Sequence, residues 1–345
     1  MKKVLALGLS LSLATLMLAG CGSDNDSSSK SDGGEKTTSG SLKTGLAVIS
    51  KTDNSKDVSD KDGLAQIDST IVAVTVDKDG KIVECIIDAA QTKINFDATG
   101  KLKTDLKTEF KTKDELGDNY GMKKASTIGK EWYEQAAALA KYVTGKTVDE
   151  VKGIKLSDDG KAADADLSTS VTVSISGYID AIEKAVKNSK ELGAKAGDKL
   201  GLGVVTNIAK SADAGEKDGV AQAYSSYGVV TVDKSGKITS ATIDASQTNV
   251  NFSKAGKITS DLTAKNMTKN ELGDEYGMKK ASSIGKEWYE QAAALSKYVT
   301  GKTLDEVKGI KVENGKPTDT DLKASVTISI TDYIAVISKA VGTAK

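Results

Sequence analysis

Hydrophobic positions along the chain follow two different periods. Thr70-Ile71-Val72-Ala73-Val74-Thr75-Val76 is a β-branched run and predicts a strand. Asp79-Gly80 predicts a two-residue hairpin turn, with Ile82–Ile87 returning as the partner. Another extended run leads into a second turn at Ala98-Thr99-Gly100. The period then changes. Trp132, Ala136, Leu139 and Val143 lie on one helical face, which predicts a helix from Glu131 to Val143 ended by Gly145. Thr147-Val148-Asp149-Glu150 is a capping box that opens a short second helix. Val171, Val173 and Ile175 alternate with Ser170, Thr172 and Ser174 and predict a closing strand. Ile179, Ile182 and Val186 share one side of a final helix.

The same succession is written twice. Glu115-Leu116-Gly117-Asp118-Asn119-Tyr120-Gly121-Met122-Lys123-Lys124-Ala125-Ser126 recurs as Glu271 through Ser282, with Asn119 replaced by Glu275. That displacement also maps Gly63 to Gly219, Gln66 to Gln222, Asp88 to Asp244 and Trp132 to Trp288. After a one-residue deletion, Tyr178 maps to Tyr333. A repeat this long is a whole domain rather than a solenoid unit. The fold class expected is α+β: two tandem copies, each an antiparallel sheet with helices, over 42–188 and 198–345, joined by a linker at 189–197.

The N-terminus has another character. Met1-Lys2-Lys3 precedes an apolar stretch from Val4 to Leu18, short for a membrane span and fitted to a signal peptide over 1–20. Leu18-Ala19-Gly20-Cys21 resembles the lipobox of bacterial lipoproteins, whose Cys receives a diacylglycerol and becomes the mature N-terminus. The stretch from Gly22 to Ser41 has no apolar residue to bury, so 21–41 reads as a lipidated Cys21 and a flexible tether. This places the folded part on the extracellular face of a bacterial cell membrane, held by lipid through Cys21.

Composition narrows the chemistry. Among 345 residues there are 48 Lys+Arg, 48 Asp+Glu, no His and two Cys. Zero net charge argues against a nucleic-acid partner. Without His there is no Ser-His-Asp or Cys-His catalysis and no His-ligated metal. With Cys21 committed to lipid, Cys85 is the remaining thiol, and inside Ile82-Val83-Glu84-Cys85-Ile86-Ile87 it reads as a small buried hydrophobe. No Walker loop or GxGxxG is present, and no metal site is expected. Redox chemistry would require a borrowed cofactor.

One stretch carries a resemblance. Glu115-Leu116-Gly117-x-x-Tyr120-Gly121-Met122, followed by Gly129-Lys130-Glu131-Trp132-Tyr133-Glu134-Gln135, is similar to the central stretch of FMN-binding domains. Those domains occur in the C subunit of the sodium-pumping NADH:quinone reductase and in related secreted flavoproteins. There, an Asp-x-x-Ser-Gly-Ala-Thr motif follows, and a flavin transferase joins its Thr to FMN through a phosphoester. This chain has Asp166-Leu167-Ser168-Thr169-Ser170-Val171-Thr172 and Asp321-Leu322-Lys323-Ala324-Ser325-Val326-Thr327 at that place. Ser stands for Gly and Val for Ala in both, and Ala324 lacks the hydroxyl of Thr169.

The resemblance implies covalent FMN, two per chain, on Thr172 and Thr327. Ser126 and Ser282, after Lys-Ala, are rival attachment sites. Tyr120, Gly121 and Met122, with Tyr276, Gly277 and Met278, are candidate flavin contacts, and Trp132 and Trp288 read as core. Lys123, Lys124, Lys279 and Lys280 are either phosphate neighbours or solvated surface. The layout resembles the flavin lipoproteins of extracellular electron transfer in Gram-positive bacteria. That family implies an electron carrier rather than an enzyme with its own substrate. Its electrons come from a membrane NADH dehydrogenase and quinone pool and pass to extracellular acceptors such as ferric iron. A monomer is expected. The alternative is a tandem-domain surface lipoprotein that binds a solute or host ligand without flavin.

Overall fold

The computed structural model describes residues 40–344. The expected signal segment, Cys21 and the tether up to residue 39 lie outside these residues. The architecture is α+β with antiparallel sheets. Strands β1 (Ser41–Lys51), β2 (Gly63–Val76) and β3 (Ile82–Phe96) form an antiparallel meander. After them come α1 (Lys113–Leu116), a 3-10 turn (Gly117–Tyr120), α2 (Trp132–Val143), α3 (Val148–Lys152), α4 (Ala165–Ser168) and α5 (Ser176–Lys187). β4 (Lys190–Lys195) leads to the second copy: β5 (Lys199–Asn207), β6 (Gly219–Val232) and β7 (Ile238–Phe252). Its helices are α6 (Lys269–Leu272), α7 (Trp288–Val299), α8 (Leu304–Lys308), α9 (Thr320–Lys323) and α10 (Thr331–Thr343). A two-stranded ribbon, β8 (Val312–Glu313) with β9 (Lys316–Pro317), precedes α9.

Two local expectations are corrected. The first concerns the turn at Gly80. Asp77 N–H donates to Lys81 O (2.9 Å) and Gly80 N–H to Asp77 O (3.2 Å), so Lys78, Asp79 and Gly80 form the loop rather than Asp79-Gly80 alone. The Asp77 carboxylate also accepts the N–H groups of Asp79 and Lys81 (both 2.9 Å), and Gly80 takes the left-handed conformation (φ +78°) that closes such a loop.

The second concerns 170–175, which is not a strand. It is an irregular connection between α4 and α5. Its backbone donors are taken elsewhere: Val171 N–H by Leu167 O, Thr172 and Val173 N–H by the Gln135 side chain, and Ile175 N–H by Gly160 O. Val171 and Ile175 are both buried, while Val173 is only half-buried.

Most of the linker at 189–197 is β4, which pairs with β1 and extends the first sheet to the order β3-β2-β1-β4.

The two sheets stack face to face between two helical layers. Val72 and Val74 of β2 pack under Trp132, Leu139 and Ile182. Ile71 and Ala73 point the other way, against Leu200, Leu202, Val204 and Tyr227 of the second copy. Burial on both faces accounts for the unbroken apolar run at 71–74. Farther along, Phe96 stacks on Phe252 with centroids 4.2 Å apart. Contacts between copies come in reciprocal pairs. Val58 N–H donates to Gly256 O and Ala214 N–H to Gly100 O (2.9 and 2.8 Å). Ile258 N–H donates to Asp57 and Leu102 N–H to Asp213 (2.7 and 2.8 Å). Lys184 pairs with Glu271 (2.7 Å) and Lys339 with Glu115. Such i-to-j and j-to-i matching is the signature of a two-fold interface. The described residues form one compact unit.

Candidate functional site

The site is built on the N-terminal turn of α2. Glu131 caps that helix in a capping box with Glu134 and is buried (2% exposed). Its two carboxylate oxygens accept the N–H groups of Met122 and Lys123, both at 2.9 Å. That pins the Tyr120-Gly121-Met122 loop to the helix. Met122 O in turn accepts from Ala125 and Ser126 N–H (2.9 and 3.0 Å), which fixes Ser126 above the first turn.

Gln135, one turn into α2, is fully buried (0% exposed). Its Nε2 donates to Ser126 Oγ (3.1 Å) and Lys130 O (3.3 Å). Its Oε1 accepts Thr172 N–H (2.8 Å), Thr172 Oγ1–H (3.2 Å) and Val173 N–H (3.2 Å). Thr172 and Ser126, the two rival hydroxyls, are therefore neighbours joined through one amide. Copy two repeats the arrangement: Gln291 binds Ser282 Oγ (3.2 Å), Thr327 N–H (2.8 Å) and Thr327 Oγ1–H (3.2 Å). Glu287 likewise holds Met278 and Lys279 N–H (both 2.8 Å).

Thr172 borders a cavity of about 320 Å³. Thr127, Ser168 and Lys161 also line it. Lys161 is paired with Asp159 (2.6 Å). Ser168 gives its proton to Ala165 O (3.2 Å), which leaves Thr127 and Lys161 as the neighbours of the half-buried Thr172 suited to a phosphate group.

The aromatic residues lie under this network. Trp132 and Trp288 are each 2% exposed and belong to the cores. Trp132 Nε1–H donates to Tyr178 OH (3.0 Å), and the two rings meet edge to face. Lys113 Nζ lies 4.7 Å from the Tyr120 ring and 5.3 Å from Trp132. In copy two Lys269 sits deeper, with the rings of Tyr224, Tyr276 and Trp288 at 4.7, 4.6 and 5.2 Å. Desolvation brings its ammonium down to about 8. The copies differ here because Asp68 stands where copy two has Tyr224. Lys123, Lys124, Lys279 and Lys280 are exposed. Cys85 packs half-buried against the first core, and desolvation pushes its thiol up to about 12, which keeps it protonated at neutral pH.

Gln135, Gln291, Glu131, Glu287, Lys113 and Lys269 were given no role by sequence reasoning. The available signal was repetition: Glu-Trp-Tyr-Glu-Gln stands unchanged in both copies, at Glu131–Gln135 and Glu287–Gln291. Among the described residues no group of Cys, Asp or Glu converges as a metal site, and no helix is long and apolar enough to cross a membrane.

The chain is similar to a chlorophenol reductase of Desulfitobacterium hafniense, with 34% identity over 116 residues covering 24% of this chain and 36% of that protein. The match thus spans about a third of the relative's length. No family model and no solved structure matches the chain.

Proposed function

We propose that this chain is a lipid-anchored flavoprotein of the extracellular membrane face, made of two FMN-binding-type domains that carry FMN on Thr172 and Thr327. It relays electrons from a membrane NADH dehydrogenase and quinone pool to outer acceptors such as ferric iron. The observation that carries this reading is the Thr172 hydroxyl, half-buried at a cavity that also presents Thr127, Ser168 and Lys161. A phosphoester to FMN needs one such hydroxyl per copy and a pocket that tolerates phosphate. The resemblance of 115–135 and 166–172 to FMN-binding domains supports it, and the relative's name, a reductase, points to redox chemistry as well. Bound FMN supplies reversible electron transfer; the protein holds the phosphate end, shields the site and positions it. Covalent attachment suits a cofactor exported from the cell, where a weakly held one would be lost by diffusion.

The test is the mass and colour of the full chain produced beside a flavin transferase. The denatured, filtered protein is expected to stay yellow and to carry two FMN phosphoryl groups. Thr172→Ala and Thr327→Ala are each expected to remove one. A colourless chain of unmodified mass from such a host would sink the flavin reading.

A second reading is favoured by another feature. A cleft of about 850 Å³ lies between the copies, with Leu46, Ile243 and Tyr289 on its wall and Lys187, Lys190 and Lys297 at its edge. Its size is that of a small-molecule site. A surface lipoprotein that holds a solute there would show saturable binding by the unmodified chain.

A further inference from the structure

We infer that Gln135, with Gln291 in copy two, selects which hydroxyl is modified and positions it. The inference rests on the flavin attachment proposed above. A hydroxyl has one proton to give and two lone pairs to accept with. Thr172 Oγ1–H points at Gln135 Oε1 (3.2 Å), which it shares with the Thr172 and Val173 N–H groups, and among the described residues no donor points at Thr172 Oγ1. Both of its lone pairs are thus available to an incoming electrophile. Ser126 is the reverse case. Its Oγ accepts from Gln135 Nε2 (3.1 Å) and from Lys130 N–H (3.3 Å), so both lone pairs are occupied. Copy two repeats the contrast: Thr327 donates to Gln291 (3.2 Å), whereas Ser282 accepts from Gln291 (3.2 Å) and Lys286 N–H (3.4 Å).

The amide cannot be turned over without loss. Two backbone N–H groups, of Thr172 and Val173, converge on Oε1 and require an acceptor there. One buried side chain therefore makes neighbouring hydroxyls chemically unequal, and it does so by orientation alone. In the transfer, Thr172 Oγ1 attacks the phosphorus of an activated FMN donor, a flavin nucleotide whose phosphate is part of a phosphoanhydride. The Oγ1–P bond forms and the anhydride P–O bond breaks. The second phosphate leaves with the electron pair, and the hydroxyl proton passes to it or to solvent. Gln135 neither gains nor loses a proton, so it is a positioning residue.

The experiment uses the full chain produced beside a flavin transferase, with occupancy of Thr172, Ser126, Thr327 and Ser282 read separately by peptide mass spectrometry. Gln135→Met keeps the volume and removes the polarity. It is expected to lower Thr172 occupancy about ten-fold or more relative to Thr327 in the same chain, with flavin appearing on Ser126. Gln135→Glu keeps the acceptor and is expected to restore most of the Thr172 occupancy. Unchanged Thr172 occupancy in Gln135→Met overturns the inference. If that variant fails to fold and empties both sites, Gln135→Glu decides: loss at Thr172 while Thr327 stays filled overturns it too. A wild-type chain without flavin on either threonine overturns the attachment reading itself, and this inference with it.

Discussion

Asp88 and Asp244 sit in the sheets beneath the first helical turn of each copy. Asp88 Oδ1 accepts Ala89 N–H (2.7 Å) and Asp114 N–H (3.2 Å), and Asp244 Oδ1 accepts Ala245 N–H (2.7 Å) and Asn270 N–H (3.1 Å). Desolvation outweighs these bonds and raises the carboxyls to about 7 and about 6. The unfolded value is about 3.9. Between the two values the folded chain keeps a proton that the unfolded chain has lost, so stability must fall as pH rises through that window. Urea midpoints measured from pH 4 to 7 are expected to decrease, and Asp88→Asn and Asp244→Asn are each expected to flatten the decrease. A profile with the same slope in both variants and wild type would remove these carboxyls as its cause. Neither acid was marked by the sequence, since burial depends on where a strand lies in the finished stack. Thr172 and Ser126 were legible because they are hydroxyls in short motifs. Gln135 was not, because its effect arises from three segments that meet only in the fold.

At the scale of elements, close approach of backbone to backbone sets the geometry. A Cβ on Gly45 of β1 would collide with the Ala185 carbonyl of α5, and one on Gly201 of β5 with the Ala340 carbonyl of α10. These glycines let each terminal helix lie directly on its strand. Gly45→Ala and Gly201→Ala are therefore expected to cost about 1–3 kcal/mol each, read as a lowered denaturation midpoint, because the helix must lift from the sheet. Gly177→Ala, where nothing lies within contact distance, serves as the control. At the other end of each copy, Glu131→Ala strips the acceptor from two loop N–H groups. It is expected to speed amide exchange at Met122 and Lys123 while leaving Met278 and Lys279 protected, which hydrogen-exchange mass spectrometry would register. The helices carried their own markers in the sequence: apolar spacing and capping boxes placed α2 and α3 almost to the residue. The segment 170–175 misled because alternation is a strand signal only when the backbone donors are free for a neighbouring strand. Here a buried glutamine and two carbonyls claim them.

At the scale of the whole molecule, the repeat predicts two bodies, yet the burial pattern ties them together. The inter-sheet core takes side chains from both copies, and Phe96 and Phe252, each fully buried, stack across it. Neither copy could keep that face dry alone. Unfolding one copy would expose the other's sheet to water, so the two are expected to unfold as a single cooperative unit. The chain carries its own reporters, because its two tryptophans fall one in each copy, Trp132 and Trp288. A Trp288→Phe chain reports only on copy one, and a Trp132→Phe chain only on copy two. If the copies are coupled, adding Phe252→Ala to the Trp288→Phe chain should shift the Trp132 transition, although the substitution lies in the other copy. A buried Phe→Ala costs about 3–5 kcal/mol, enough to move a urea midpoint by an amount easily resolved. Phe96→Ala should do the same to the Trp288 signal. If instead each substitution moves only the tryptophan of its own copy, the shared core contributes little. The two candidate attachment sites would then sit on independent bodies rather than on opposite helical layers of one rigid stack.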